Sequence, residues 1–321
     1  MHYFSEDDVL AIATPWKSVL HAIEEATRAM ARKDFVQPLK PYLRFGDVCN
    51  RIIAMPAYVG GSIAVAGIKW IASFPQNIER GIPRAHAVCI LNNPETGVPE
   101  TIFNSGSLSA IRTAGVSGVI LRHFLMHRPK RNLTVGIIGW GPIGRMHYNM
   151  IGAAFAQNTS SILLFDTKGI EKKSVPDIPG IENHICDSWL EVYEKADVFI
   201  TCTVAHERYI DRKPRPGSLL LNVSLRDFQP EMFLYTKAII VDDWTEVCRE
   251  NTDIQQMHQK YGLQESDTRS ICDVVVNDHM ALVHEEEAVF FNPMGMAVFD
   301  MAVAQQLAQD LSAANRGHFL P

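Results

Sequence analysis

Between Trp16 and Met30 the apolar residues Trp16, Val19, Leu20, Ile23, Ala26 and Met30 recur at steps of three and four, the spacing of one helical face. Thr14 and Pro15 precede this run as a helix start, because a threonine oxygen accepts an orphan N–H and proline fits the first turn. Ser5, ahead of an acidic run, opens a shorter helix in the same way. The pattern then changes to short apolar runs around Leu43 and at 51–55, 65–71 and 85–91, separated by Gly and Pro. These predict strands of a mixed or antiparallel sheet. The turn at 92–97 sends 101–103 back as a hairpin strand, and a helix follows over 108–127.

The charged stretch at 129–132 divides the chain. Beyond it, 133–138 is an unbroken apolar run of the kind found in buried parallel sheets. Gly139, a helix and further strand segments at 161–165, 198–203, 219–223 and 238–241 continue a β-α-β series. Residues 168–182 are too rich in Pro, Gly and charge for a regular element and read as a shortened crossover. A final helix over 297–314 returns to the first part of the chain.

A net charge of -6 leaves no basic surplus for nucleic acid or an anionic membrane, so a small molecule is the expected partner. The acidic start and the absence of an apolar run of roughly 20 residues predict a cytosolic protein. Cys49, Cys89, Cys186, Cys202, Cys248 and Cys272 lack the close paired spacing of a zinc or redox motif and read as reduced thiols. His123 and His127 lie four apart on a predicted helix without a third ligand nearby, which suggests a surface role and no metal.

Gly139-Trp140-Gly141-Pro142-Ile143-Gly144 follows a strand and opens a helix, the context of a dinucleotide fingerprint. The first glycine permits the tight turn, the second admits the pyrophosphate, and the third lets helix and strand approach. Asp166 stands 22 residues past Gly144 at the end of the next strand, placed to accept from a ribose 2′-hydroxyl and to repel a 2′-phosphate. NAD is therefore expected over NADP, with Thr167 and Lys168 following directly as residues that could accommodate some NADP. The fold class follows as α/β: a Rossmann doubly wound parallel-sheet domain, 129–296, with an α+β domain from 1–128 and 297–321.

Three residues elsewhere are candidates for chemistry. Lys69 places a charge inside an apolar strand, where an ammonium is costly unless paired or used; a lysine turned to water is the other reading. Arg112, at a small-residue helix start, is suited to clamp a carboxylate or to make a surface salt bridge. Asp227 follows a strand at the sheet edge where doubly wound folds hold ligands, though a turn aspartate would look the same.

Together, Ile53-Ala54-Met55-Pro56, Gly67-Ile68-Lys69, Arg112-Thr113-Ala114, the glycine turn, the segment 222–227, Val241-Asp242-Asp243 and Gly295-Met296-Ala297 with Asp300 resemble the ornithine cyclodeaminase/mu-crystallin family over nearly the whole chain. The resemblance implies a homodimer whose first domain supplies substrate pocket and subunit contact. It implies that Lys69 and Arg112 hold an amino-acid carboxylate, and that Asp227 serves the substrate nitrogen or an attacking water. It also implies that Arg112, Thr113, Gly139, Gly141, Pro142, Ile143, Gly144, Asp166, Thr201, Cys202, Thr203, Val223 and Ser224 contact NAD. Ornithine cyclodeaminases carry a glutamate where this chain has Ile53, which argues against ornithine cyclisation. Mu-crystallin-like binding proteins tend to lack the aspartate present here as Asp227, which favours an enzyme.

Within the family, the segments 34–44, 51–56, 241–244 and 292–297 are similar to those of N-(2-amino-2-carboxyethyl)-L-glutamate dehydrogenases. Those enzymes release L-2,3-diaminopropionate and 2-oxoglutarate for siderophores or peptide antibiotics, from a conjugate made by a partner synthase. Arg44 and Arg51, with Lys69 and Arg112, would balance its three carboxylates. Alanine dehydrogenases, ketimine reductases, cyclodeaminases and a non-catalytic NAD(P)H-binding protein are the alternatives.

Overall fold

The structure is a computed structural model that describes residues 1–47 and 49–321. Its contacts divide the chain into two units, Met1–Gly115 with Gly295–Pro321, and Val116–Met294.

In the first unit β1 (His2–Ser5) leads into α1 (Glu6–Leu10), where Ser5 and Asp8 form a reciprocal capping box. α2 (Trp16–Ala31) buries Val19, Leu20, Ile23 and Ala26, the face its spacing predicts. The expected Thr14 cap is not made. The Thr14 carbonyl accepts from the Trp16 N–H at 2.9 Å, and the helix begins after Pro15 without a side-chain cap.

β2 (Phe35–Val36), β3 (Tyr42–Leu43), β4 (Arg51–Val59), β5 (Val65–Ser73), β6 (Ala85–Asn92) and β7 (Pro99–Asn104) follow. β4 to β7 pair antiparallel in succession, while β1 pairs parallel with β7, so the sheet is mixed. Side chains alternate along β5: Lys69 is buried and Trp70 is exposed, the period of a half-covered strand. α3 (Gly106–His127) then carries the chain into the second unit.

There β8 (Leu133–Ile138), α4 (Pro142–Ala154), β9 (Thr159–Phe165), β10 (Glu182–Ile185), α5 (Trp189–Lys195), β11 (Val198–Thr201) and β12 (Leu219–Asn222) precede β13 (Ala238–Val241). Three short helices, α6 (Trp244–Val247), α7 (Asp253–Tyr261) and α8 (Ile271–Val275), surround β14 (Arg269–Ser270) in the chain, and β15 (Val289–Asn292) closes the series. The sheet is parallel throughout, in the order β10-β9-β8-β11-β12-β15-β13-β14. Its first five strands give the doubly wound arrangement, whose order reverses between β8 and β11, where such sheets bind ligands beyond the strands' carboxyl ends. Residues between β9 and β10 make only a 3-10 turn at Lys172–Ser174, consistent with the shortened crossover.

The chain ends in the first unit with α9 (Ala297–Ala313) and β16 (His318–Phe319). The first sheet runs β16-β1-β7-β6-β5-β4-β2, with β3 also on β4. α9 is apolar nearly all round because it packs on α2 and on β4, β5 and β6. At Gly67 a Cβ would stand 2.7 Å from the Met301 sulfur and 2.2 Å from the Ile90 carbonyl oxygen, so this glycine sets how closely helix and sheet approach. Among the described residues, no helix is long and apolar enough to cross a membrane.

Candidate active site

Lys69 lies on the α9 side of β5, between Met55 of β4 and Cys89 of β6 in the strand register. It is 1% exposed, and its Nζ donates to Asp300 Oδ1 at 2.7 Å and to Ser109 Oγ at 3.3 Å. Arg112 of α3 donates its Nε to the same Asp300 oxygen, also at 2.7 Å. Burial pulls the Lys69 ammonium down to about 8; Asp300 opposes that pull and Arg112 adds to it. Burial works to raise the Asp300 carboxyl, but Arg112 and Lys69 overcome it and hold the group below its ordinary value.

Space for the Arg112 guanidinium depends on Gly295, whose φ of 85° suits glycine and whose Cβ would lie 2.9 Å from Nη1. The Gly295 carbonyl in turn accepts from buried Lys40 at 2.7 Å. Two cations and one carboxylate leave this group with one positive charge, and the terminal nitrogens of Arg112 have no hydrogen-bond partner among the described residues. The arrangement can receive a carboxylate with charge-assisted hydrogen bonds.

Arg44 and Arg51 stand apart from that pair. Both guanidinium groups sit over the Tyr42 ring, at 5.3 and 5.8 Å from its centre. Arg51 shares the sheet face of Met55, the register partner of Lys69, four residues away along β4 and so roughly 13 Å distant. Its Nε is buried without a partner among the described residues. Ile53, on the same strand as Arg51, pairs with Tyr42 of β3 and Ile71 of β5.

In the second unit Asp227 is fully buried in the loop after β12. Thr203 and Ser224 both donate their hydroxyls to it. Burial raises the carboxyl, against these hydroxyls, Thr201 and the charge of Arg208. The loop turns through Leu225 at φ 64°, a conformation uncommon outside glycine. Asp253 holds it there: its Oδ2 accepts from the Asp227 and Phe228 N–H groups at 3.2 and 3.1 Å and from Asn222 at 2.9 Å, and its Oδ1 accepts from Arg208 at 2.6 Å. Burial raises Asp253 to about 6 in spite of Arg208. The Tyr209 hydroxyl is buried nearby, and burial followed by the Asp227 charge pushes its phenol up against the hydroxyl of Thr203.

The glycine turn fits a dinucleotide. Gly139 has φ 95°, and a Cβ there would stand 2.6 Å from the Cys202 carbonyl oxygen, which ties the turn to the end of β11. A Cβ on Gly144 would lie 1.9 Å from the Gly139 oxygen, so α4 presses against its own entry turn. At Gly141, by contrast, a Cβ would meet nothing within 4 Å, leaving room where a pyrophosphate approaches. Gly141 caps α4 without a side-chain bond and Pro142 follows, so the helix amides and dipole remain available to an anion. Asp166 accepts from the Trp140 N–H at 2.7 Å and from the Lys168 N–H at 2.8 Å, which fixes its carboxylate.

Of the other expected cofactor residues, Thr201 donates to Asn222, Ser224 N–H bonds the Thr201 carbonyl, and Val223 continues the same turn. Cys202 Sγ lies 3.7 Å from His147 Nδ1, and Thr113 donates to the Ser109 carbonyl. His123 is buried, contrary to the surface role read from its helix-end position, because α3 is covered well beyond one face. His127 contacts Asp278 at 2.6 Å. Among the described residues, no group of three or more His, Cys, Asp or Glu could hold a metal ion.

Sequence reasoning assigned no role to Asp300, Lys40, Arg208 or Asp253. Asp300 left a signal: it is the one charge in 297–304, an otherwise apolar helical stretch. Asp253 left none, since an aspartate after Thr252 looks like an ordinary first-turn acid.

The sequence pattern of the ornithine cyclodeaminase/mu-crystallin family matches residues 6–315. The chain belongs to that family. Among curated relatives, it is 34% identical to the N-((2S)-2-amino-2-carboxyethyl)-L-glutamate dehydrogenase of Staphylococcus aureus, over 92% of this chain and 90% of that one. In fold it is similar to Thermococcus litoralis Delta(1)-pyrroline-2-carboxylate reductase, solved in complex with NADH and L-proline, with a TM-score of 0.85, 22% identity and all of both chains covered. An archaeal alanine dehydrogenase dimer with bound NAD has a TM-score of 0.78 at 21% identity, covering 100% of this chain and 99% of the other. The family fold therefore extends through both units described above.

Proposed function

We propose that the protein is an NAD-dependent dehydrogenase that cleaves N-(2-amino-2-carboxyethyl)-L-glutamate with water, giving L-2,3-diaminopropionate and 2-oxoglutarate. The observation that carries this reading is the similarity, over nine-tenths of both chains, to the Staphylococcus aureus enzyme of that name. The oxidoreductase assignment is also in keeping with the family's other amino-acid dehydrogenases and reductases. Bound NAD supplies the hydride acceptor for the glutamate-derived α-carbon.

In this reading the glycine turn and helix α4 take the pyrophosphate, and Asp166 takes the adenosine ribose. Thr201, Cys202, Thr203, Val223 and Ser224 line the dinucleotide at the strand ends, joined by Arg112 and Thr113. Lys69 and Arg112 hold one substrate carboxylate, and Arg44 and Arg51 take the others, their separation along the sheet suiting a molecule with acids at more than one end. Asp227 is the general base: raised by burial, it accepts the proton of the secondary amine and passes it to solvent, then accepts that of the attacking water and returns it to the departing amine as the C–N bond breaks. Segments 1–128 and 297–321 serve substrate and subunit contact in a cytosolic homodimer, and 129–296 serves NAD. A partner synthase supplies the substrate, and the diaminopropionate goes to a siderophore or peptide antibiotic.

The test is absorbance of NADH after adding NAD and N-(2-amino-2-carboxyethyl)-L-glutamate to the purified protein. NADH formed in equal amount with 2-oxoglutarate is expected. Turnover of alanine or a cyclic imine in its place reassigns the substrate. NADH binding with no amino acid turned over, in a panel of these compounds, removes the enzymatic reading.

A further inference from the structure

Asp300 concentrates two bonds on one atom: Oδ1 accepts from both Lys69 and Arg112, while Oδ2 is buried with no partner among the described residues. A buried carboxylate oxygen left without a donor lowers stability, and a buried ion pair is weak evidence of stabilisation. Stability alone is thus a poor account of the arrangement. Its geometric effect is definite, because one oxygen brings an ammonium from β5 and a guanidinium from α3 to a common point. Its electrostatic effect is equally definite: Asp300 cancels one of two positive charges and leaves the other for a ligand.

We propose that Asp300 is the positioning residue that makes Lys69 and Arg112 a single recognition unit for one substrate carboxylate, and that it keeps Lys69 charged while that carboxylate binds. This rests on the reading of Lys69 and Arg112 given above. The groups facing Lys69 are Asp300 from α9, Arg112 and Ser109 from α3, and Cys89 from β6; Met55 of β4 adds no charge. The Cys89 thiol is pushed up by burial and stays neutral. Asp300 is therefore the sole anion among these groups, and without it Arg112 and burial both act to strip the Lys69 proton.

The experiment measures KM and kcat for N-(2-amino-2-carboxyethyl)-L-glutamate from about pH 6 to about pH 9 in full-length wild type, Lys69→Met and Asp300→Asn, with NADH fluorescence reporting the folded state. Wild-type KM is expected to rise above about pH 8 as Lys69 loses its proton. Asp300→Asn is expected to raise KM roughly tenfold at neutral pH, to start that rise at least about one pH unit lower, and to change kcat less than KM. Asp300→Glu keeps the charge and is expected to keep the wild-type position of the rise; it also decides the matter if Asp300→Asn does not bind NADH. An Asp300→Asn profile that matches wild type, or an Asp300→Glu profile shifted down, overturns the role of Asp300. If Lys69→Met itself leaves KM unchanged, the carboxylate-binding reading fails, independently of Asp300.

Discussion

Two groups of three charges, one in each unit and buried except for the partly exposed Arg208, have opposite balance. In the first, Lys69 and Arg112 share a single anion, Asp300; in the second, Asp227 and Asp253 have a single cation, Arg208. Burial penalises charge in both, yet the outcomes differ. Lys69 is drawn down to about 8 and stays largely protonated at neutral pH, which leaves a positive group short of an anion. Asp227 and Asp253 are both raised, and Asp253 takes most of the stabilising hydrogen bonds, including two backbone N–H groups. Asp227 is left with hydroxyl donors only, an environment suited to taking up a proton. The contrast teaches that the same cost of burial prepares one cluster to bind an acid and the other to act as a base.

The largest effect should come from removing the base. Asp227→Asn is expected to lower kcat by roughly 10²–10⁴-fold with NADH affinity within about twofold of wild type, as read by steady-state rates and NADH fluorescence. Wild-type turnover in that variant would break the comparison on its second side.

A smaller effect tests the first side through pH. With Lys69 protonated in the binding form, kcat/KM should fall above about pH 8, by about tenfold per unit. Stability should move the other way. The folded value of Lys69 lies below the ordinary 10.5, so from about pH 8 to about pH 10.5 the unfolded chain holds more protons and the folded state gains as pH rises. Lys69→Met should remove this gain in denaturant titrations; a variant that retains it would show that another group is responsible.

The smallest effect belongs to Asp253. Its folded value of about 6 exceeds the ordinary 3.8, so between about pH 4 and about pH 6 the folded state holds the extra proton and loses stability as pH rises. Asp253→Asn should flatten that part of the Tm profile, a change of about 2–4 °C per kcal/mol involved. An unchanged slope would assign Asp253 an ordinary carboxylate value and sharpen the contrast with Asp227.

The elements that declared themselves in the sequence are those whose pattern is self-sufficient. The apolar face of α2, the unbroken run of β8 and the glycine turn each carry their signal within a few residues. β1, β10 and β16 do not, because they are short strands at or near sheet edges, and β10 is polar; their pairing with β7, β9 and β1 gives them form. β15 is apolar but only four residues long and adjoins an acidic run, which masked it. For the site, Lys69, Arg112 and Asp227 were legible as costly or oddly placed groups. Whether Lys69 faced water was not, since that depends on α9 arriving from more than 200 residues away.

The close approach at Gly67 has a consequence for descent. A side chain there would displace Met301, next to Asp300, and so disturb the anion on which Lys69 depends. Gly67, Lys69 and Asp300 are thus expected to be inherited together, and a homologue with a bulky residue at the first position should have lost or rebuilt the other two.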